Sequence, residues 1–233
     1  MHYFFDPDFN SKSVSVSKSE LVHFKALRIT PGEQIGVTTG KAKGFIAVVE
    51  EPTSGRVRVE RELSASTQTA IHLVQAIAKG GRDEIALQNA TELGISSATA
   101  LQADRSVSRW DGKVAKNIER WRQIAISAIK QSQQLRLPEV EYADSVSALT
   151  PKGLGLVLDP RADIDFASCN LGQEVTIVVG PEGGFSDQEI AKLSELGFKP
   201  VRFGDSILRT SSAGPAAIAC VKLISGEYGK RLD

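Results

Sequence analysis

The chain has 233 residues, 41% hydrophobic and 24% charged, and its 28 basic side chains balance 28 acidic ones. That composition is globular, the length suits one large domain or two modest ones, and the neutral total argues against a general polyanion binder. No apolar run approaches the ~18 residues of a membrane span, MHYFFDPDF lacks the layout of a secretory signal, and Cys169 and Cys220 stand apart outside any CxxC, so a cytoplasmic protein with reduced thiols and no membrane partner is expected.

The first seventy residues or so read as β-rich. Tyr3 to Asp6 is a short apolar and aromatic run, and Ser13 to Ser17 (SVSVS) alternates with period two, which predicts a half-buried strand. Glu33 to Thr39, Gly44 to Glu50 and Arg56 to Leu63 are further strands, punctuated by Pro31-Gly32, Thr39-Gly40 and Pro52 to Gly55. Ser19 is the expected N-cap of one short helix, Glu20 to Leu27. Several short strands with one small helix predict a small barrel over residues 1–68. The polar, uncharged SASTQT from Ser64 to Thr69 marks the boundary.

From residue 69 to 233 strands alternate with helices. Ile71 to Ala78 predicts a strand, Arg82 to Leu93 a helix stopped at Gly94, and Ser97 to Ala103 a second strand. Lys113 to Gln133 predicts a long helix with Ile118, Trp121, Ile124, Ala125, Ala128 and Ile129 on one side. Leu154 to Leu158 and Val175 to Val179 are continuous apolar runs, as in strands buried on both faces. Ser186 with Glu189 three residues on forms a capping box for a helix to Leu196. Val201 to Phe203 is expected as a last short strand and Ser211 to Ile224 as a last helix. The pattern is α/β with a mainly parallel sheet.

Several common motifs are absent. GVTTGK at Gly36 to Lys41 is one residue short of a phosphate loop, and Ala42 replaces its Ser or Thr. No GxGxxG follows a strand, no GxSxG elbow occurs, and His2, His23 and His72 have no metal-ligand spacing. What remains is two glycine-bearing segments at strand ends. In VGPEGGFS, Val179 to Ser186, glycines and a proline fix a turn without side-chain bulk, so it is either a cradle for a flat ligand or a tight strand–helix connection. In FGDSILRTSSAGP, Phe203 to Pro215, Arg209 follows an apolar pair at a helix mouth, where it either serves a site or pairs with a surface acid. Charge is also uneven. Arg105 to Arg136 holds eight Lys or Arg against two acids, a local +6, which is either a surface for a specific anionic partner or a solvated helix face.

These segments carry a resemblance. The chain resembles the uridine-N3 methyltransferases of small-subunit ribosomal RNA, within the SPOUT trefoil-knot class, along nearly its whole length. His23 to Arg28 (HFKALR) is similar to the family's His-x-x-x-Leu-Arg, and Lys79 to Gly94 (KGGRDEIALQNATELG) to its lysine-led helix ending in Thr-Glu-Leu-Gly. Asp104-Arg105-Ser106 resembles its Glu-Arg-Ser, and Ala128 to Pro138 its Ala-x-x-Gln-Ser pattern closed by proline. GPEGG and Ile207-Leu208-Arg209-Thr210 are the most specific matches. The pattern departs at Ser211-Ser212-Ala213, where Glu-Thr-Ala is common, and at His2 and Tyr3, which stand near an early arginine position. Ser211 is expected to start the last helix as its N-cap.

The resemblance implies a C-terminal trefoil-knotted domain preceded by a PUA-like β-barrel that docks RNA. It implies S-adenosylmethionine as methyl donor and a homodimer with the site at the subunit interface. The donor pocket would be formed by Leu158, Val179, Gly180, Gly183, Gly184, Phe203, Gly204, Ile207 and Leu208, largely through backbone groups. Arg209 would stabilise the uridine anion. Glu182 would either accept the N3 proton or cap N–H groups of its own turn. Arg28, Lys79, Arg82, Arg105, Gln131 and Arg136 would grip 16S ribosomal RNA, expected in the assembled small subunit. No metal is expected. Two alternatives remain: ribose 2′-O or guanine methylation on the same knotted scaffold, and a non-catalytic RNA-binding ribosome assembly factor.

Overall fold

The computed structural model describes residues 1–227. They form two compact units, one of residues 1–67 and 125–137, the other of residues 68–124 with the chain from 138 onward.

The first unit is built on a four-stranded sheet of β1 (His2–Phe5), β2 (Gln34–Thr38), β3 (Lys43–Glu51) and β4 (Arg56–Ser64), in that order. β1 pairs parallel with β2, and the other two pairings are antiparallel. Phe4, Phe9, Phe24, Ile35, Val37 and Phe45 pack into one core, with Phe4 and Phe24 ring centroids 4.5 Å apart. Two expectations fail here. SVSVS is not a strand: Ser15 makes only an isolated bridge to Arg56, flanked by two backbone bonds, because Val16 alone of its valines is buried while Val14 points to water. Ser19 is not a helix cap either. Lys18–Glu20 is a single 3₁₀ turn, α1 (Leu21–Leu27) starts behind Glu20 without a side-chain cap, and Ser19 Oγ lies 3.0 Å from Ser17 Oγ instead. Glu20, buried, pairs with Lys130 and His23.

The second unit is the α/β unit that the alternating pattern predicts. Its six-stranded sheet is parallel throughout, with β5 (Ala70–Ala76), β6 (Ser97–Leu101), β7 (Glu139–Ala143), β8 (Leu154–Leu158), β9 (Glu174–Val179) and β10 (Lys199–Val201) in the order β10-β8-β9-β5-β6-β7. The two apolar runs, β8 and β9, lie side by side, and the consecutive residues Leu156 and Val157, like Ile177 and Val178, are all buried, so both strands are covered on each face. α2 (Arg82–Glu92) and α5 (Thr210–Ile224) pack on each other and on the sheet, and α4 (Asp187–Glu195) packs beside β10. α3 (Val114–Gln131) begins in this unit, and its residues from Ala125 onward belong to the first.

Three boundaries differ from expectation. β7 is an additional edge strand, whose EVEYA alternation suits a half-covered edge. The last strand is Lys199–Val201, because its partner β8 ends at Leu158, which pairs with Val201 and leaves Phe203 in the loop beyond. α5 starts at Thr210 with Arg209 at its N-cap and no side-chain cap bond, so Ser211 lies inside the first turn. Among the described residues, no helix is long and apolar enough to cross a membrane.

Candidate functional site

The carboxyl ends of parallel strands are where α/β sheets bind ligands, because the connecting loops diverge there. In the second unit the ends of β8, β9 and β10 open on one cavity of about 720 Å³, within the usual ~300–1,000 Å³ of small-molecule sites.

One wall is the GPEGG turn. After Val179 the chain reverses with the Gly184 N–H donating to Pro181 O at 2.9 Å, and Gly184 takes φ +65°, which a glycine adopts without steric cost. A Cβ on Gly180 would lie 3.2 Å from the Phe185 ring, so this ring closes the turn from beneath. The capping box then fixes the start of α4: Glu189 N–H donates to Ser186 Oγ at 3.2 Å, and Ser186 N–H to Glu189 Oε2 at 2.8 Å. The same pair reaches the segment after β6. Asp104 N–H donates to Glu189 Oε1 at 2.9 Å, and Ser186 Oγ donates to Asp104 Oδ2 at 2.9 Å.

The opposite wall is the loop from Arg202 to Arg209. Gly204 sits at φ +73°, and Ile207 is 82% exposed, with Leu208 also open. An isoleucine this open in a loop beside a cavity is a surface suited to a flat apolar ligand. Thr210 joins the two walls by donating from Oγ1 to Gly180 O at 2.8 Å.

The sequence-predicted residues divide clearly. Leu158 and Val179 at their strand ends, Gly180, Gly183 and Gly184 in the turn, and Phe203, Gly204, Ile207 and Leu208 in the loop all line this cavity, as do Glu182, Arg82, Arg105 and Arg209. Lys79 does not line it but meets it through its N–H, 3.2 Å from Glu182 Oε1. Arg28, Gln131 and Arg136 belong to the first unit. There Arg28 caps α1 in the left-handed region at φ +55°, unusual for a non-glycine residue, and Arg136 bridges to Lys41. Of the basic stretch, Arg109 pairs with Asp111, Arg120 with Glu84 and Lys130 with Glu20, so part of its charge is neutralised within the fold.

Sequence reading overlooked four residues around the cavity. Asp159 and Arg161 follow β8: Arg161 is held by both Asp159 oxygens and by Asp187, and the guanidinium beside it keeps the Asp159 carboxyl below the usual range despite the opposing effect of burial. Thr210 and the buried Gln75 behind it complete the set. A lone glutamine in the apolar run Leu73 to Ile77 was a readable signal.

The RNA methyltransferase domain family matches residues 65–222, more than half of the chain. The chain belongs to that family. It is 36% identical over 216 residues to the ribosomal RNA small subunit methyltransferase E of Mycobacterium tuberculosis, and the match covers 86% of this chain and 82% of that protein. Among solved structures it is similar to the ribosomal RNA small subunit methyltransferase E of Neisseria gonorrhoeae bound to S-adenosylmethionine, with a TM-score of 0.86, 27% identity and coverage of 96% and 98% of the two chains. A methyltransferase of Legionella pneumophila in complex with the same cofactor gives a TM-score of 0.85 at 29% identity, covering 95% and 97%.

In this member of the RNA methyltransferase family five arginines line the cavity, and four are committed. Arg82 pairs with Glu182, Arg105 donates to the carbonyls of Gly183 and Phe185, Arg161 is held by Asp159 and Asp187, and Arg202 by Asp165. Arg209 is exposed, and its guanidinium has no partner among the described residues.

Proposed function

We propose that this chain is an S-adenosylmethionine-dependent methyltransferase of small-subunit ribosomal RNA that methylates N3 of a uridine in 16S RNA. The observation that carries the reading is the uncommitted Arg209 guanidinium beside a glycine-walled cavity. Four neighbouring arginines are hydrogen-bonded to the walls, which leaves Arg209 as the lining arginine without a partner among the described residues.

The residues present fit the cofactor. Glycines on one wall let backbone N–H and C=O groups approach a flat adenine, and Leu158, Val179 and Leu208 offer apolar contact. When bound, S-adenosylmethionine supplies the methyl group from its sulfonium. The chain's own residues do the rest. N3 of uridine lies on the pairing edge and carries a proton, so the base has to be unpaired or flipped before it reacts. Negative charge then spreads over N3, O2 and O4, and Arg209, always protonated, stabilises it. Glu182 Oε1 is occupied by Arg82 and Lys79, whereas Oε2 has no partner among the described residues, and that atom would take the N3 proton. No covalent nucleophile is needed.

RNA would be held by Arg28, Lys79, Arg82, Arg105, Gln131 and Arg136 through contacts that weaken with salt. The proposed enzyme has a PUA-like barrel of residues 1–68 as docking module and a trefoil-knotted domain over 69–233, of which 228–233 lie outside the described residues, and acts as a homodimer on the assembled small subunit in the cytoplasm. Similarity to the Neisseria protein over nearly both chains supports the methyltransferase fold and its cofactor. The exposed Ile85, Leu223 and Ile224 of the paired helices α2 and α5 supply apolar surface for a subunit contact.

The test compares nucleosides of small-subunit RNA from cells with and without the protein by mass spectrometry. The expected result is 3-methyluridine lost on deletion and restored by the parent chain but not by Arg209→Ala. A ribose-methylated or guanine-methylated nucleoside that follows the gene instead would replace the uridine assignment. Cofactor binding without any change in the RNA would make the chain an assembly factor.

A further inference from the structure

Gln75 lies in β5 and is fully buried, at 0% exposure. Its Nε2 donates to Thr210 Oγ1 at 2.8 Å and to Ala76 O at 3.2 Å. Thr210 Oγ1 in turn donates to Gly180 O at 2.8 Å. A hydroxyl has one proton, so giving it to Gly180 obliges the oxygen to accept from Gln75, and the direction of the relay is fixed. It runs from the middle of the sheet, through the first residue of α5, to the first carbonyl of the GPEGG turn.

The relay has a cost. Gln75 Oε1 is buried with no hydrogen-bond partner among the described residues, and an unpaired buried amide oxygen costs about 1–3 kcal/mol. A methionine would fill similar space without that penalty. Stability alone therefore does not explain the glutamine, whereas orienting its neighbours does. Arg209 immediately precedes Thr210 and is the N-cap of α5. The bond that holds Thr210 on Gly180 thus also sets where the Arg209 backbone stands relative to the turn.

We propose that Gln75 and Thr210 are positioning residues that lock the methyl-donor turn and Arg209 into one frame, so that losing the relay weakens donor binding and slows transfer together. The proposal rests on the reading of the cavity as the methyl-donor pocket. Gln75 does not line the cavity, whereas Thr210 does, so Gln75 acts through Thr210 and its variant is the decisive one.

The test uses the full chain, titrated calorimetrically with S-adenosylmethionine and assayed for kcat and KM on small ribosomal subunits. Thr210→Val keeps the volume and removes both hydroxyl bonds. It is expected to raise the donor Kd about tenfold and to lower kcat by a similar factor, as the loss of about one buried hydrogen bond predicts. Thr210→Ser, which restores the hydroxyl, is expected to return both to within about threefold. Gln75→Met is expected to bind the donor more weakly while melting at or above the parent's temperature, because the orphan oxygen is gone. A Gln75→Met protein with the parent's donor affinity and kcat overturns the proposal, and so does one whose affinity falls only in step with its melting temperature. A parent chain that does not bind the donor overturns the reading of the cavity instead, so the two failures are distinguishable.

Discussion

The Arg82 guanidinium donates to Glu182 Oε1 across 3.0 Å, and the backbone N–H of Lys79 donates to the same oxygen across 3.2 Å. The start of α2 thereby holds the middle of the GPEGG turn. One carboxylate oxygen serves the fold, and the other has no partner among the described residues. General-base contributions begin at about a hundredfold. Glu182→Gln keeps an acceptor for Lys79 and is expected to lower kcat by about that factor while S-adenosylmethionine affinity stays within about threefold. Weakened affinity with kcat intact would reduce Glu182 to a strut of the turn.

Arg105 crosses the same turn from the segment after β6, donating from Nη1 to Gly183 O at 3.0 Å and to Phe185 O at 3.3 Å. Its partners are neutral carbonyls, so no acid among the described residues pairs with it, and on the proposed reading its charge would meet a phosphate. Arg105→Met should therefore do two things: weaken donor binding about fivefold through the turn, and reduce the slope of RNA affinity against salt by about one. A Cβ on Gly183 would meet the Arg105 stem at 3.3 Å, so Gly183→Val should displace Arg105 as well as fill the cavity, and bind the donor worse than Arg105→Met. Calorimetry on the two variants, side by side, checks that ranking.

Gly214 lets α5 lie close to the sheet. A Cβ there would stand 3.0 Å from Leu73 Cδ1 and 3.4 Å from Val179 Cγ2, both on buried core residues that have little room to move. Overpacking of this kind costs about 1–3 kcal/mol, against about 1 kcal/mol gained from alanine's helix propensity. Gly214→Ala is expected to be destabilised by about 1 kcal/mol, a fall of roughly 2–4 °C in Tm for a chain of this size. A rise in Tm would mean that Leu73 repacks freely.

Asp83, in the first turn of α2, is buried, and desolvation pushes its carboxyl up to about 6 against the opposing backbone hydrogen bonds of Glu84 and of Asp83 itself. The folded state then holds this proton more tightly than the unfolded chain, whose aspartates titrate near ~3.9. The strain is present above pH 6 and is relieved as pH falls toward 4, so this group raises stability on acidification. Asp83→Asn is expected to melt higher than the parent at pH 7.5, with the difference vanishing near pH 4. A difference constant across that range would show that Asp83 titrates normally.

Much of the site was legible because its signals are local. The apolar runs that became β8 and β9 carry burial in their composition, the Ser186–Glu189 spacing dictates a capping box, and glycines at strand ends mark where backbone is left bare. Less of the first unit was legible. SVSVS alternates like a strand but finds only one bridge, since period two records a tendency and pairing needs a neighbour. EVEYA became a strand for the converse reason, because the free edge of β6 was there to receive it.

The roles of the arginines show most clearly where sequence stops. Their presence near GPEGG and Ile207-Leu208-Arg209 is written in the chain, and Arg161 has its partner Asp159 two residues away, yet nothing local tells Arg82, Arg105 and Arg202 from Arg209. What separates them is partners: Glu182 lies 100 residues from Arg82, and Gly183 lies 78 from Arg105. By itself the sequence determined the buried strands β8 and β9, the capped start of α4 and the two glycine-bearing turns, because burial patterning and local capping are set by a residue and its near neighbours. Only the tertiary structure decided which lining arginine is left without a partner among the described residues and that the buried Gln75 amide meets Thr210, because such hydrogen bonds and ion pairs form between groups that meet only when parallel strands and their crossovers are assembled.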